Sequence, residues 1–385
     1  AYLDGMLRSE GKRTGLFTSP HLVKINERIV IDGVPVDDGT FTRNFKTTLE
    51  AVRLMEEEGL SHPTFFEFLL GMALCAFREA GVEYAVLETG LGGRLDATSA
   101  VEPPLVCVIT SIGYDHMQYL GDTLAEIAAE KAGIIRPGVP VFYAGSSEES
   151  DRVIEKTAEK SGSFCKKIGK DAYEILGIED KHIAFSCSSD YYGTTTWKLN
   201  NTGIYQPGNA MLAMEVMRYL FGKTGHTARW REVLSELKWA GRMEEILPGV
   251  YVDGAHNISA VEAFLQSIPQ DKQGNIIVFS AVRDKEYEKM AAALCSAPGT
   301  DAYVVTHIDD PRGTGSAQLG DIFRKYTDRP VIVRENVKDA LLWALENRGS
   351  RRVYCLGSLY LTGTIKELIQ EVKSDAELRR RVKEV

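Results

Sequence analysis

The 385-residue sequence predicts an α/β fold: a doubly wound, mostly parallel sheet with a small antiparallel insertion, followed by a second, smaller α/β domain. Three observations predict it. Short apolar runs alternate with stretches of helical periodicity, the rhythm of strand-helix units that build parallel sheets. Runs such as YAVL at 84–87 lack polar alternation, as expected of strands covered on both faces. Polar, glycine-rich segments stand at the carboxyl ends of those runs, where open parallel sheets collect ligands.

In chain order, Leu3, Met6 and Leu7 have helical spacing and Gly11 can end that helix, so the chain opens inside a helix without a start signal. A strand at 15–18, helices at 40–58 and 64–80, and the strand at 84–87 follow. A strand at 105–110, a helix at 123–132 and a strand at 139–144 continue the series. Between 161 and 205 the character changes to short alternating segments, including 182–187 and 194–199, separated by Gly, Asp and Asn; these read as the antiparallel insertion. Helical periodicity returns at 209–221. Gly241, Pro248 and Gly249 mark the exit from the first domain, which places the domains at 1–239 and 240–385. The second series has strands at 251–253, 276–280, 302–306, 331–333 and 353–356, with helices at 260–265 and 287–294. The charged tail at 373–385 reads as a solvated helix end. The sequence shows no internal repeat and no low-complexity segment.

Hydrophobic residues make up 44% and charged residues 26%, which is globular composition. The net charge of −9 carries no global basic signature for nucleic acid. Cys75, Cys107, Cys165, Cys187, Cys295 and Cys355 lie far apart without a CxxC pair, which reads as reduced thiols and a cytoplasmic setting. No apolar run approaches the ~18 residues that span a bilayer. Neither nucleic acid nor membrane is an expected partner.

The chemistry concentrates in VEYAVLETGLGGRLDATS at 82–99. Glu88 ends a strand, and Gly90, Gly92 and Gly93 allow a tight turn and close backbone approach. The spacing imitates a dinucleotide fingerprint, which keeps a nicotinamide-dependent oxidoreductase in view. Leu95 occupies the third glycine position, however, and a carboxylate repels a pyrophosphate unless a cation intervenes. Metal-bound phosphate is the better reading; the alternative is an ordinary turn with Glu88 paired to Arg94. Thr18 and Ser19, then Glu88, then Asp115 and His116 follow three predicted strands, so they can converge on one edge. His116 can also be a hydrogen-bonded turn residue. Lys131 ends a helix, where a cation complements the dipole. Asn209 can cap its helix or present its amide to a base edge. Arg242 can be a surface residue, a hinge ion pair or a phosphate clamp. Asp253 and His256 follow a strand in YVDGAHN, where Asp253 can cap a helix or meet a ligand held between domains.

Taken together, TSPHLVKINERI (18–29), PTFFEF (63–68), LETGLGGRLDAT (87–98), TSIGYDHMQYLG (110–121), EKAGIIRPG (130–138), YQPGNAMLA (205–213), GRME (241–244) and DGAHN (253–257) resemble the folylpolyglutamate synthase and dihydrofolate synthase family of Mur-type ATP-dependent amide ligases. The resemblance covers essentially the whole chain. It implies an ATPase domain followed by a Rossmann-like glutamate-ligase domain, with ATP and Mg²⁺ as cofactors and a monovalent cation such as K⁺ as a further candidate. It implies that Ser19, Glu88 and His116 surround magnesium beside the ATP phosphates, and that Lys131 matches a lysine whose carbamylation makes it an anionic ligand. Asn209, Arg242 and Asp253 match contacts to adenine, phosphate and ribose. His256 and Ser358 match the region of the incoming L-glutamate, and His116, Lys131, Arg242 and His256 are the catalytic set. Ser19, Pro20, His21 and Phe66 match the side that receives folate or dihydropteroate. Ser99 stands where relatives commonly carry Asn, and Tyr360 follows Ser358 where some place histidine.

The expected activity is ligation of glutamate to a folate or dihydropteroate carboxylate through an acyl phosphate. GxxxxGK[ST], which in this family immediately precedes the helix at which this sequence opens, is missing. The expectation is that the natural protein has roughly 40 to 50 further residues upstream, and that the chain without them is inactive. This leaves a non-catalytic nucleotide-binding homologue as the main rival.

Overall fold

In a computed structural model, which describes residues 1–101, 103–179, 181–189, 191–269 and 273–374, the chain divides into two compact units. One comprises Ala1–Asn200 with Gln206–Leu237, the other Asn201–Tyr205 with Lys238–Val385. Most of the charged tail lies outside the described residues.

In the first unit, helix α1 (Tyr2–Ser9) leads into β1 (Thr14–Phe17), which pairs antiparallel with β2 (Ile29–Ile31) and parallel with β4 (Tyr84–Leu87). Asp32 and Gly33, both at positive φ, turn β2 into β3 (Val34–Pro35). This is the Asp-Gly hairpin signal, a short feature outside the expected elements. Between β3 and β4 lie α2 (Asp38–Glu57) and α3 (Phe65–Ala80). Helix α3 starts where it does because Thr64 and Glu67 form a capping box, and it stops at Gly81, whose φ is 65°. A separate parallel sheet holds β5 (Cys107–Ile109), β6 (Val141–Ala144) and β7 (Cys165–Ile168). Between its first two strands lie α4 (Met117–Leu120) and α5 (Leu124–Ala132), and α6 (Glu148–Lys160) precedes β7. The parallel strands of this unit therefore form two sheets.

The antiparallel insertion is narrower than 161–205. It comprises β8 (Glu174–Glu179), β9 (His182–Ser189) and β10 (Gly193–Leu199), because 165–168 pairs in parallel with β6 and belongs to the main layer. Helices α7 (Gln206–Phe221) and α8 (Thr227–Glu236) complete the unit.

The second unit holds one six-stranded sheet in the order β11-β12-β16-β13-β14-β15. These are Glu244–Leu247, Val250–Val252, Arg352–Leu356, Asn275–Phe279, Thr300–Thr306 and Val331–Arg334, all parallel to their neighbours except β11. Helices α9 (Ile258–Ser267), α10 (Tyr287–Ser296), α11 (Ser316–Tyr326), α12 (Val337–Asn347) and α13 (Leu359–Ser374) alternate with them. Strand β13 is buried throughout: Ile277 and Phe279 enter one core, Ile276 and Val278 the other. Alternating side chains with both faces covered explain its unbroken apolar sequence.

Candidate active site

Because β1 and β4 run side by side in parallel, the residues after them emerge at one edge. The Ser19 amide donates to Glu88 Oε2 at 2.9 Å, joining the two strand ends. Beyond the cis Ser19–Pro20 peptide, one carboxylate holds the loop: Glu27 accepts the amides of Leu22, Val23 and Lys24 at 2.7, 3.1 and 2.9 Å. Arg28 Nε donates to His21 Nδ1 at 2.9 Å, so the neutral imidazole carries its proton on Nε2. Burial and the Arg28 charge hold the His21 pKa below its ordinary value, with Glu27 opposing. Glu27 and Arg28 lie within the TSPHLVKINERI segment but outside the expected site residues; the sequence marks them there as a charged pair. Phe66 packs on Phe17 with ring centres 5.4 Å apart, and a β-carbon on Gly90 would come within 2.9 Å of its ring. Phe66 is thus a half-buried wall close to Glu88.

The loop after Glu88 is shaped by Asp96, which accepts the Gly90 and Leu91 amides on Oδ2 at 2.7 and 3.1 Å. Its Oδ1 accepts the Thr98 amide and hydroxyl at 3.0 and 2.6 Å. This acidic residue therefore forms a turn and adds no open carboxylate. Arg94, the alternative partner for Glu88, pairs with Glu130 at 3.0 Å. A β-carbon on Gly93 would lie 2.8 Å from the Lys131 carbonyl, so this glycine docks the loop on the end of α5. Close helix-loop packing accounts for the glycines without a dinucleotide. Ser99 closes the loop by donating to the Gly93 carbonyl at 3.0 Å.

After β5, His116 adopts the left-handed conformation at φ 51° and opens α4. Its amide donates to Asp115 Oδ1 at 2.9 Å, and its Nε2 lies 3.9 Å from Asp115 Oδ2. Burial pushes the Lys131 amine below the usual lysine range, and the nearby Asp115 charge opposes that shift.

Among the described residues, no three His, Cys, Asp or Glu side chains are placed to hold a metal. Mg²⁺ keeps water and takes substrate phosphate oxygens alongside one or two carboxylates, so Glu88 joined to Ser19 fits it as a partial ligand set.

Asn209 lies in the first turn of α7, with Nδ2 3.4 Å from Gln206 Oε1, so it does not cap the helix. In the second unit the loops after β12 and β16 meet where the Gly357 amide donates to the Ala255 carbonyl at 2.8 Å. Asp253 is 5% exposed. Its Oδ2 accepts the Met243 amide at 2.8 Å and the Tyr205 hydroxyl at 3.4 Å, and its Oδ1 accepts the Ala255 amide at 2.8 Å. Burial raises its pKa, opposed by Arg242 and these hydrogen bonds. The carboxylate thus organises two turns, while the cap of α9 belongs to Asn257, which accepts the Ala260 amide at 2.8 Å. Arg242 lies over Gly254, where a β-carbon would overlap its guanidinium. His256 Nδ1 donates to the Gly254 carbonyl at 2.7 Å. Ser358 is buried and accepts the Tyr360 amide at 3.2 Å as α13 begins. The structure therefore joins Ser19 to Glu88, sets Lys131 and His116 near Asp115, and gathers Arg242, Asp253 and His256 around Gly254.

Residues 47–217 match the Mur ligase middle domain and residues 241–359 the Mur ligase, glutamate ligase domain. The dihydrofolate synthase/folylpolyglutamate synthase of Bacillus subtilis (strain 168) is 32% identical over 389 residues, covering 96% of this chain and 87% of that one. The Mycobacterium tuberculosis folylpolyglutamate synthase complexed with ADP and AMPPCP superposes with a TM-score of 0.86 at 28% identity, covering 96% and 87%. E. coli FolC in complex with DHPP and ADP gives 0.82 at 27%, covering 97% and 85%. The match to an Arabidopsis thaliana folylpolyglutamate synthase spans 47% of that longer protein and 68% of this chain. The chain belongs to the dihydrofolate synthase/folylpolyglutamate synthase family of Mur ligases.

Proposed function

We propose that the protein is an ATP-dependent ligase that joins the amino group of L-glutamate to the carboxylate of dihydropteroate, a folate, or both. The observation that carries this reading is the Ser19–Glu88 junction at the carboxyl ends of two parallel strands, in a chain of this family. That arrangement suits a metal-bound triphosphate. The double name of the Bacillus subtilis relative and the DHPP in the E. coli structure support a bifunctional acceptor range.

A carboxylate is a poor electrophile, so the γ-phosphoryl group of ATP first converts it to an acyl phosphate. Bound Mg²⁺ neutralises charge on the transferring group. Glu88 and Ser19 would hold that ion, with His116 and Lys131, once carbamylated, completing its surroundings; K⁺ is a further candidate ion. Arg242 offsets the phosphate charge, Asn209 meets the adenine, and Asp253 positions Arg242 and borders the ribose. Ser19, Pro20, His21 and Phe66 form the acceptor side. His21 offers its Nε2 proton to an acceptor atom of the pterin-benzoate portion. His256 and Ser358 border the glutamate, whose amine attacks the acyl carbon and expels phosphate. Six free cysteines support a reducing cytoplasmic setting, and no described helix is long and apolar enough to cross a membrane. The protein acts as a monomer on these small molecules.

Oxygen-18 transfer tests the chemistry. With both acceptor carboxylate oxygens labelled, each amide bond should deliver one label to the released phosphate. Productive turnover with unlabelled phosphate would contradict the acyl phosphate route.

A further inference from the structure

We infer that Lys366 is a positioning residue for Arg242, acting through Glu244; the inference rests on the phosphate role proposed above for Arg242. The 241–243 turn is costly in itself. Gly241 has φ 68°, and Met243 is held at φ 46°, a conformation that disfavours side chains. It persists because it is tied down at several points. The Gly241 carbonyl accepts the Gly254 amide at 2.7 Å, the Arg242 carbonyl accepts Asn201 Nδ2 at 2.6 Å, and the Met243 amide donates to Asp253. The remaining tie is the Gly241 amide, which donates to Glu244 Oε2 at 2.7 Å.

Glu244 is held in turn by Lys366 of α13, whose Nζ lies 2.7 Å from both carboxylate oxygens. The lysine side chain is 17% exposed, so the pair is shielded enough to be directional, unlike a mobile surface ion pair. Thr362 of the same helix donates its hydroxyl to the Asp253 carbonyl at 3.2 Å. One helix therefore supports both acidic anchors of the turn. Without Lys366, the Glu244 carboxylate rotates towards water and releases Gly241. The Arg242 guanidinium then loses its place over Gly254.

The test is steady-state kinetics on the product of the intact gene, varying ATP, glutamate and acceptor in turn for wild type, R242M, K366M, K366R, E244Q and the R242M/K366M double variant. K366M should raise KM for ATP about tenfold, leave KM for glutamate and acceptor within about twofold, and add little to R242M, as expected of coupled positions. K366R should restore most of the loss. E244Q keeps an oxygen for Gly241 while losing the charge, so it reads the same coupling if K366M fails to fold. Wild-type KM for ATP in K366M or in a folded E244Q, with R242M impaired, would overturn the inference; so would additive losses in the double variant. Wild-type kinetics in R242M would instead remove the role of Arg242, and the inference with it.

Discussion

Replacing Glu88 with Gln keeps its shape and an acceptor oxygen for the Ser19 amide, yet removes the charge. Magnesium-dependent kcat/KM should fall by on the order of 10²-fold or more, because the loss falls on charge neutralisation in the transition state. The melting temperature should move by less than about 3 °C. Equal activity in E88Q would refute the role. Gly254→Ala acts differently: its β-carbon must displace the Arg242 guanidinium, so KM for ATP should rise about tenfold or more in a folded protein. An unchanged KM would show that Arg242 does not work from this position. Glu88 is legible in the sequence because it ends an apolar strand. Asp96 and Asp253 look similar there, but their carboxylates accept backbone amides of their own turns. Which amides return to a carboxylate depends on the folded chain path. The partners of Glu27 and Arg28, and the place of Lys366, are hidden for the same reason.

Helix α1 is fastened to α8 through a carboxylate that sets a pH dependence. Glu10 accepts the His226 amide at 2.7 Å, meets the His226 ring at 2.7 Å and accepts the Trp230 indole N–H at 2.6 Å. Burial alone would raise its pKa, but these partners outweigh burial and leave it below the ordinary 4.5. A depressed carboxylate stabilises the fold above its unfolded pKa, and that contribution fades as pH falls through the folded value. E10Q should therefore cost about 2 kcal/mol at pH 7 and progressively less below pH 4.5, read from urea midpoints. A gap independent of pH would contradict this. Among the elements, β4 and β13 are legible as unbroken apolar runs, and α3 from its capping box. Helices α6, α8, α11 and α12 and strand β11 fall outside the expected elements. Helix α6 shows why: EESDRVIEKTAEK buries mainly Ile154 and Ala158 among its apolar residues, a stripe too thin to stand out from a polar segment. Segment 165–168, CKKI, looks like part of the polar insertion because its lysines interrupt it; only pairing with β6 assigns it to the parallel layer.

At the scale of the molecule, the alternation of strands and helices foretells two α/β layers, and the ordered motifs foretell the family. Periodicity alone cannot show that 201–205 packs with the second unit, since that follows from contacts such as the Ile204 amide on the Ser267 hydroxyl at 3.0 Å. The direct measurement of glutamate ligation supplies the product of the intact gene with ATP, Mg²⁺ and labelled L-glutamate, and with dihydropteroate or a reduced folate in separate reactions. A labelled glutamyl product should form with at least one acceptor, accompanied by one ADP and one phosphate per amide bond and abolished when the acceptor is omitted. Binding of ATP and Mg²⁺ with no ligation to either acceptor would contradict the proposed ligase activity.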